Sequence, residues 1–178
     1  MSKSTKLKLT AIALTTSLTS IPANATLSRT NTHSTLPPTT AQLIIARSQY
    51  DSQLLELTNA QRRRQNLPPL RFSPQLGQAA QRHAEDMVRN RFFSHTGSNG
   101  SSLGDRVKAT GYSYSYIGEN ISAGRSTPTE AIQGWMNSSG HRANILNREY
   151  TEIGFGYVTS PSSPYRYYWV QVFGKSRN

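Results

Sequence analysis

The sequence predicts an α+β domain in which an antiparallel sheet is covered by helices. Two patterns carry that expectation. Apolar residues recur at helical spacing through the first two thirds of the region that starts near Leu43, and the last third switches to strict alternation. Clusters of Gly, Pro and Ser mark the boundaries between the elements.

Residues 1–25 have the order of an export signal: Lys3, Lys6 and Lys8, an apolar run from Leu9 to Ile21, then Ala23-Asn24-Ala25. The run is too short to be read as a membrane span. Residues 26–42 are rich in Thr, Ser and Pro and read as a flexible linker, so His33 within it is not a candidate ligand. The domain is expected over residues 43–178, with its last strand ending near Phe173.

Within that domain, Ile44, Leu54, Leu55 and Leu57 open a helical pattern that stops before Pro68-Pro69. The Arg62-Arg63-Arg64 run at its end reads as a solvated helix face, with a polyanion site as the sharper alternative. Ser73-Pro74 is a helix start, and Leu76, Ala80, Ala84 and Met87 continue at helical spacing toward Phe92-Phe93. His83 falls on or beside the buried face and reads as a packed histidine. Leu103 and Val107 form a shorter helix stopped by Gly111, after which Tyr112, Tyr114 and Tyr116 alternate as in a strand. Thr127-Pro128-Thr129-Glu130 is a capping box ahead of a helix whose inner stripe is Ala131, Ile132, Trp135 and Met136. Ile153, Phe155 and Tyr157, then Tyr167, Trp169, Gln171 and Phe173, mark two strands joined through the Ser160–Pro164 turn.

The chain has 178 residues, a formal net charge of +11 and no cysteine. Disulfides, thiol nucleophiles, zinc ribbons and iron–sulfur clusters are therefore excluded, and any metal must use His and carboxylate. Loss of the leader removes three Lys and no acid, leaving 17 basic against 9 acidic residues, a charge of +8. A basic exported domain is drawn to anionic partners, although charge alone does not choose among them.

Three segments concentrate polar groups that a core does not need: Ser94-His95, Gly118-Glu119-Asn120, and the turn from Ser138 to Asn144 that carries His141. Two imidazoles and a carboxylate could hold a divalent metal with open positions, or move protons without one. Ser94, Ser138 and Ser139 lie near His residues, but the sequence has no G-x-S-x-G elbow to expose a nucleophile. Phosphate-binding Gly loops are also absent.

At these segments the sequence resembles the bacterial branch of the CAP superfamily, also called the SCP or pathogenesis-related-1 domain. The matching stretches are Phe93-Ser94-His95, Gly118-Glu119-Asn120-Ile121, Trp135 through Leu146, Glu152 through Gly156 and Tyr168 through Gly174, so the resemblance covers about residues 52–174. It implies an α-β-α sandwich with a central antiparallel sheet, helices on both sides and a large cleft. It also implies that His95, Glu119 and His141 line the cleft, and that the two His are the residues through which some relatives hold zinc or another divalent ion. The family's second acid is expected three residues after the helix Trp, where this sequence has Ser138. One fewer carboxylate weakens cation attraction and removes the partner for paired acid/base work.

The expected function is a secreted or periplasmic binding module engaging an extracellular or envelope ligand, whether lipid, glycan or peptide, or an anionic envelope surface. The alternative is a metal-assisted, peptidase-like hydrolase using His95, His141 and Glu119. A nuclease or nucleic-acid binder is the less favoured reading, because the tyrosines that suggest it have a simpler role in strands. No transmembrane segment is expected in the mature protein.

Overall fold

The structure, a computed structural model, describes residues 39–177. The expected leader, His33 and the linker before Thr39 lie outside the described residues. Nine elements follow in order: α1 (Thr40–Arg63), β1 (Arg71–Phe72), α2 (Pro74–Arg89), α3 (Leu103–Lys108), β2 (Tyr114–Ala123), α4 (Pro128–Asn137), α5 (Ser139–Ile145), β3 (Glu152–Thr159) and β4 (Tyr167–Ser176).

The strands form one sheet in the order β1-β3-β4-β2. Period-2 alternation in β4 organises the whole molecule. Trp169 and Phe173 join one apolar cluster, and Tyr168, Val170 and Val172 join the other, so each face of the strand supports its own core. Leu54 of α1, Trp135 of α4 and Ile145 of α5 complete the first cluster; Leu76, Ala80 and Met87 of α2 with Val107 of α3 complete the second. Helices thus cover both faces, with α1, α4 and α5 on one side and α2 and α3 on the other. The sheet is antiparallel across β3, β4 and β2, and β1 adds a parallel pair with β3 at the far edge. Two residues are too few to show any alternation, so the parallel edge has no signature in the sequence.

Gly154 and Gly156 of β3 face α2, where an added Cβ would run into the backbone at Leu76-Gly77 and at Ala80. Their missing side chains let the helix lie directly on the strand. Ser73 caps α2 and accepts from the Leu76 amide, with Pro74 at the first helical position, as its sequence predicts. The helix stops at Arg89, earlier than the periodicity suggests, because Arg91 turns to φ 54°. At α4 only half of the expected capping box forms. Thr127 accepts from the Glu130 amide, while the Glu130 carboxylate turns to the amide and hydroxyl of Ser126.

α1 opens at Thr40, where Thr39 and Gln42 form a reciprocal capping box. Its end corrects the reading of the Arg run. Arg63 and Arg64 are exposed, but Arg62 is 1% exposed and donates to the carbonyls of Pro68, Ile145 and Asn147 at 2.8–2.9 Å. The helical period turns this one arginine inward, where it ties α1 to the end of α5.

Candidate functional site

The site is built on β2, an edge strand, and the register of β2 on β4 decides which way its side chains go. Glu119 pairs with Val172 and Asn120 with Gln171, so Glu119 lies on the face covered by α2 and α3 while Asn120 lies on the face covered by α1, α4 and α5. The neighbouring pair therefore works on both layers.

The Glu119 side chain is 3% exposed and both of its oxygens are occupied. His95 Nδ1 donates to Oε1 at 2.8 Å, and the Arg106 guanidinium donates to Oε2 at 2.8 Å. A buried carboxylate left unpaired would be expensive, and Arg106, itself 10% exposed, provides the compensating charge. Arg106 also donates to the Ser101 carbonyl at 3.0 Å, which fixes the guanidinium against the loop before α3. With Nδ1 committed to the carboxylate, neutral His95 presents the bare Nε2 of a ring that is 57% exposed.

His83 confirms its reading as a packed histidine and adds a contact that the sequence did not suggest. It is fully buried on α2, its Nε2–H donates to the Ser94 carbonyl at 2.9 Å, and the same nitrogen lies 4.0 Å from Glu119 Oε1. Burial is the main force that lowers its pKa, opposed by the Glu119 charge and assisted by that of Arg106. His83 thereby anchors the residue immediately before His95.

On the other layer, Asn120 Nδ2 donates to the His141 carbonyl at 3.1 Å and to Gln171 Oε1 at 3.1 Å. Asn144 of α5 donates to the Glu119 carbonyl and to Asn120 Oδ1, and Gln171 donates onward to Thr58 of α1. This buried amide chain seats the α5 turn against β2 and so sets the place of His141. Burial lowers the His141 pKa, and the neighbouring His95 lowers it further, so a charge on one imidazole disfavours a charge on the other.

The structure thus joins His95 directly to Glu119 and brings His141 within electrostatic reach of His95. Ser138, at the position of the expected second acid, precedes α5 and makes no capping hydrogen bond with its side chain. Among the described residues no group of three or more His, Cys, Asp or Glu is arranged to hold a metal ion. Arg106 and His83 are the neighbours of Glu119 that sequence reasoning did not assign to it. The one available signal was charge balance, since a buried glutamate demands a cation.

The Cysteine-rich secretory protein family matches residues 55–173, and the chain belongs to that family, although it contains no cysteine itself. It is 40% identical over 151 residues to the protein YkwD of Bacillus subtilis, covering 85% of this chain and 54% of that relative. It is 37% identical over 106 residues to the B. subtilis membrane protein YlbC, covering 60% of this chain and 31% of that relative. The chain therefore spans about half, or less, of the length of the curated relatives it matches. Among solved structures, an extracellular protein of Bacillus anthracis containing an SCP domain superposes with a TM-score of 0.69 at 34% identity, over 79% of this chain and 45% of that one. An outer surface protein of Borrelia burgdorferi shares the fold, with a TM-score of 0.62 at 23% identity over 79% of this chain and 97% of that one. No helix among the described residues is long and apolar enough to cross a membrane.

Proposed function

We propose that this chain is an exported binding module whose site at the β2 edge, formed by His95, Glu119 and His141, engages an extracellular or envelope ligand of lipid, glycan or peptide nature. The observation that supports it is the burial and pairing of Glu119. With its side chain 3% exposed and its oxygens accepting from His95 and Arg106, the carboxylate orients an imidazole and is shielded from a substrate proton. The groups left to meet a ligand are the two imidazoles, on a chain whose formal net charge of +11 attracts anionic partners.

A divalent cation such as zinc suits that donor set. His95 offers Nε2 while the carboxylate backs Nδ1, and His141 is biased toward the neutral form that binds metals. His95 and His141 would hold it, and when bound it supplies a Lewis acid to whatever completes its coordination. This favours peptidase-like hydrolysis as the second reading, in which Glu119 again orients His95.

The test pairs zinc calorimetry with binding screens against anionic phospholipid vesicles, immobilised glycans and peptides, using wild type and the His95→Ala/His141→Ala variant. Saturable binding that the double variant loses, without turnover, supports the module reading. Zinc-dependent peptide cleavage lost in the same variant establishes the hydrolase instead. Binding that survives the double variant and falls steeply with salt belongs to the basic surface alone.

A further inference from the structure

β2 ends the sheet on one side and β3, beyond the two residues of β1, ends it on the other. A strand in that position offers N–H and C=O groups to any extended chain that meets it. Backbone groups of alternate residues leave a strand on the same side, so every second residue of an antiparallel pair turns away from its partner. Along both borders of this sheet, groups of that kind are already engaged.

On β2 the engaged carbonyls are those of Ile117, Glu119 and Ile121. Tyr150 Oη donates to the first, Asn144 Nδ2 to the second and Trp135 Nε1 to the third, each at 3.1 Å. Tyr150 and Asn144 come in over Gly118, where an added Cβ would collide with the Tyr150 hydroxyl and lie 3.3 Å from Asn144 Oδ1. The missing side chain is what lets these donors reach the strand. Glu119, Asn120 and Ile121 are buried as whole residues, so their backbone is out of reach of another chain. The exposed start of β2 is guarded differently. Its register on β4 slips between Tyr114 and Tyr116, and Lys175 and Lys108 lie over the rings of Tyr116 and Tyr114 at 5.5 and 6.0 Å. Irregular register and lysines both disfavour pairing, the first by bending the strand and the second because an arriving strand would have to desolvate the charge.

On β3 the stand-in for a neighbouring strand is a glutamine. Gln81 of α2 accepts from the Tyr157 amide at 3.0 Å through Oε1, and its Nε2 donates to the Tyr157 carbonyl at 3.3 Å. A side-chain amide that makes both bonds to one residue fills the place of the next strand's peptide group. Nearer β1 the Ser73 amide donates to the Ile153 carbonyl at 2.8 Å, and Phe155, between Ile153 and Tyr157, is fully buried.

We infer that both borders of the sheet are closed to a further strand, so that neither an extended peptide nor a second copy of this chain adds to it. A peptide ligand at the β2 rim is then read through its side chains or termini and not through main-chain pairing. That consequence rests on the proposed reading of the rim as a binding site, whereas the closure itself does not. Amide hydrogen exchange followed by NMR, together with size-exclusion chromatography and light scattering, tests it. The probe is a capped octapeptide of alternating Thr and Val, whose residues suit any open edge.

Wild type is expected to stay monomeric as its concentration rises, and the octapeptide to leave exchange at residues 117–121 and 155–159 unchanged. Gln81 is half-buried, so replacing it tests the β3 border without emptying the core. Gln81→Met speeds exchange of the Tyr157 amide about tenfold, the size expected for one lost hydrogen bond, and leaves the β2–β4 ladder as it was. Gln81→Glu keeps the acceptor and retains the protection of that amide. Slower exchange at Ile117, Glu119 or Ile121 in the presence of the octapeptide, or in a wild-type dimer, would overturn the inference at β2. Unchanged Tyr157 exchange in Gln81→Met would overturn it at β3. His95→Ala/His141→Ala leaves all of these readouts where they were, so a failure of the rim as a binding site and a failure of the closure show separately.

Discussion

Glu119 and Asn120 are adjacent in the chain and serve opposite faces of the sheet. Glu119 gathers His95, Arg106 and, at longer range, His83 on the α2 and α3 side, while Asn120 holds the His141 turn and Gln171 on the α5 side. Because β2 is an edge strand, both groups reach the same rim of the molecule. A two-residue step in a strand thus contacts both helical layers.

The pairing of Glu119 with Arg106 makes a sharp energetic prediction. Arg106→Met leaves the carboxylate buried with His95 as its sole hydrogen-bond partner, and is expected to destabilise the fold by about 3 kcal/mol in urea denaturation. Glu119→Gln in the same chain removes the stranded charge. The double variant should recover a large part of the loss, and simple additivity of the two single variants would show that the pair is not coupled.

Arg62 offers a second case, in which the charge is buried without a carboxylate. Its guanidinium is satisfied by the carbonyls of Pro68, Ile145 and Asn147, including the last residue of α5. Arg62→Met strands those acceptors and should lower stability by about 2–3 kcal/mol. Arg63→Met, one position along on an exposed side chain, should change it by less than about 0.5 kcal/mol. Equal effects in chemical denaturation would restore the view of the run as a uniformly solvated face.

These two arginines also show how far the sequence could be read. Helices α1 to α4 and strands β3 and β4 were legible because each buries one face, and period 3.6 or period 2 is the direct imprint of that burial, as in Trp169 and Phe173 against Tyr168 and Val172. By contrast α5, seven residues long with Ile145 as its one buried residue, read as a turn, and β2 was legible only at its tyrosine-rich start. His95, Glu119 and His141 were legible through motifs. Arg62 and Arg106 were not, because a buried cation looks like a surface one until its partners, which lie 83 to 88 residues away for the α5 and Tyr150 carbonyls on Arg62, are placed around it. β1 was missed because two residues hold no period.

Two titrations should pull stability in opposite directions. Burial lowers the folded pKa of His83, so the folded state binds fewer protons than the unfolded chain. Its contribution is full above the ordinary histidine value of about 6.5 and is lost as pH falls through the folded value, and His141 acts with the same sign. Asp51 is raised from 3.8 to about 6 by burial, against the pull of Arg47. Its contribution is present below the unfolded value and lost as pH rises through about 6. Asp51→Asn should therefore stabilise the protein near neutral pH, with a gain that disappears below about pH 4. His83→Gln should flatten the acid limb below about pH 6.5, the ordinary histidine value. Denaturant midpoints across pH for the three proteins check both signs.

The last prediction concerns the contact that sets α2 in place. A Cβ at position 156 would meet the backbone carbonyl of Ala80 and lie 2.6 Å from the Gln81 amide nitrogen. Backbone atoms inside a helix cannot rotate aside, so Gly156→Ala must lift α2 from β3. The expected loss is about 2–3 kcal/mol, the upper range for overpacking a well-filled core. The displacement should also reach the site, because His83 sits one turn beyond Ala80 and its 2.9 Å bond to Ser94 depends on the height of the helix. Gly140→Ala is the control, since position 140 is the second residue of α5 and an added methyl meets nothing within 4 Å beyond its chain neighbours and its own helix backbone. Alanine there should stabilise by about 0.5–1 kcal/mol through helix propensity. Thermal melts of the two variants, with the His83 and His95 ring signals followed by NMR, should show opposite shifts in Tm and a changed His83 environment in Gly156→Ala alone. A Gly156→Ala protein as stable as wild type would mean that the close approach of α2 to β3 does not hold the layer in position.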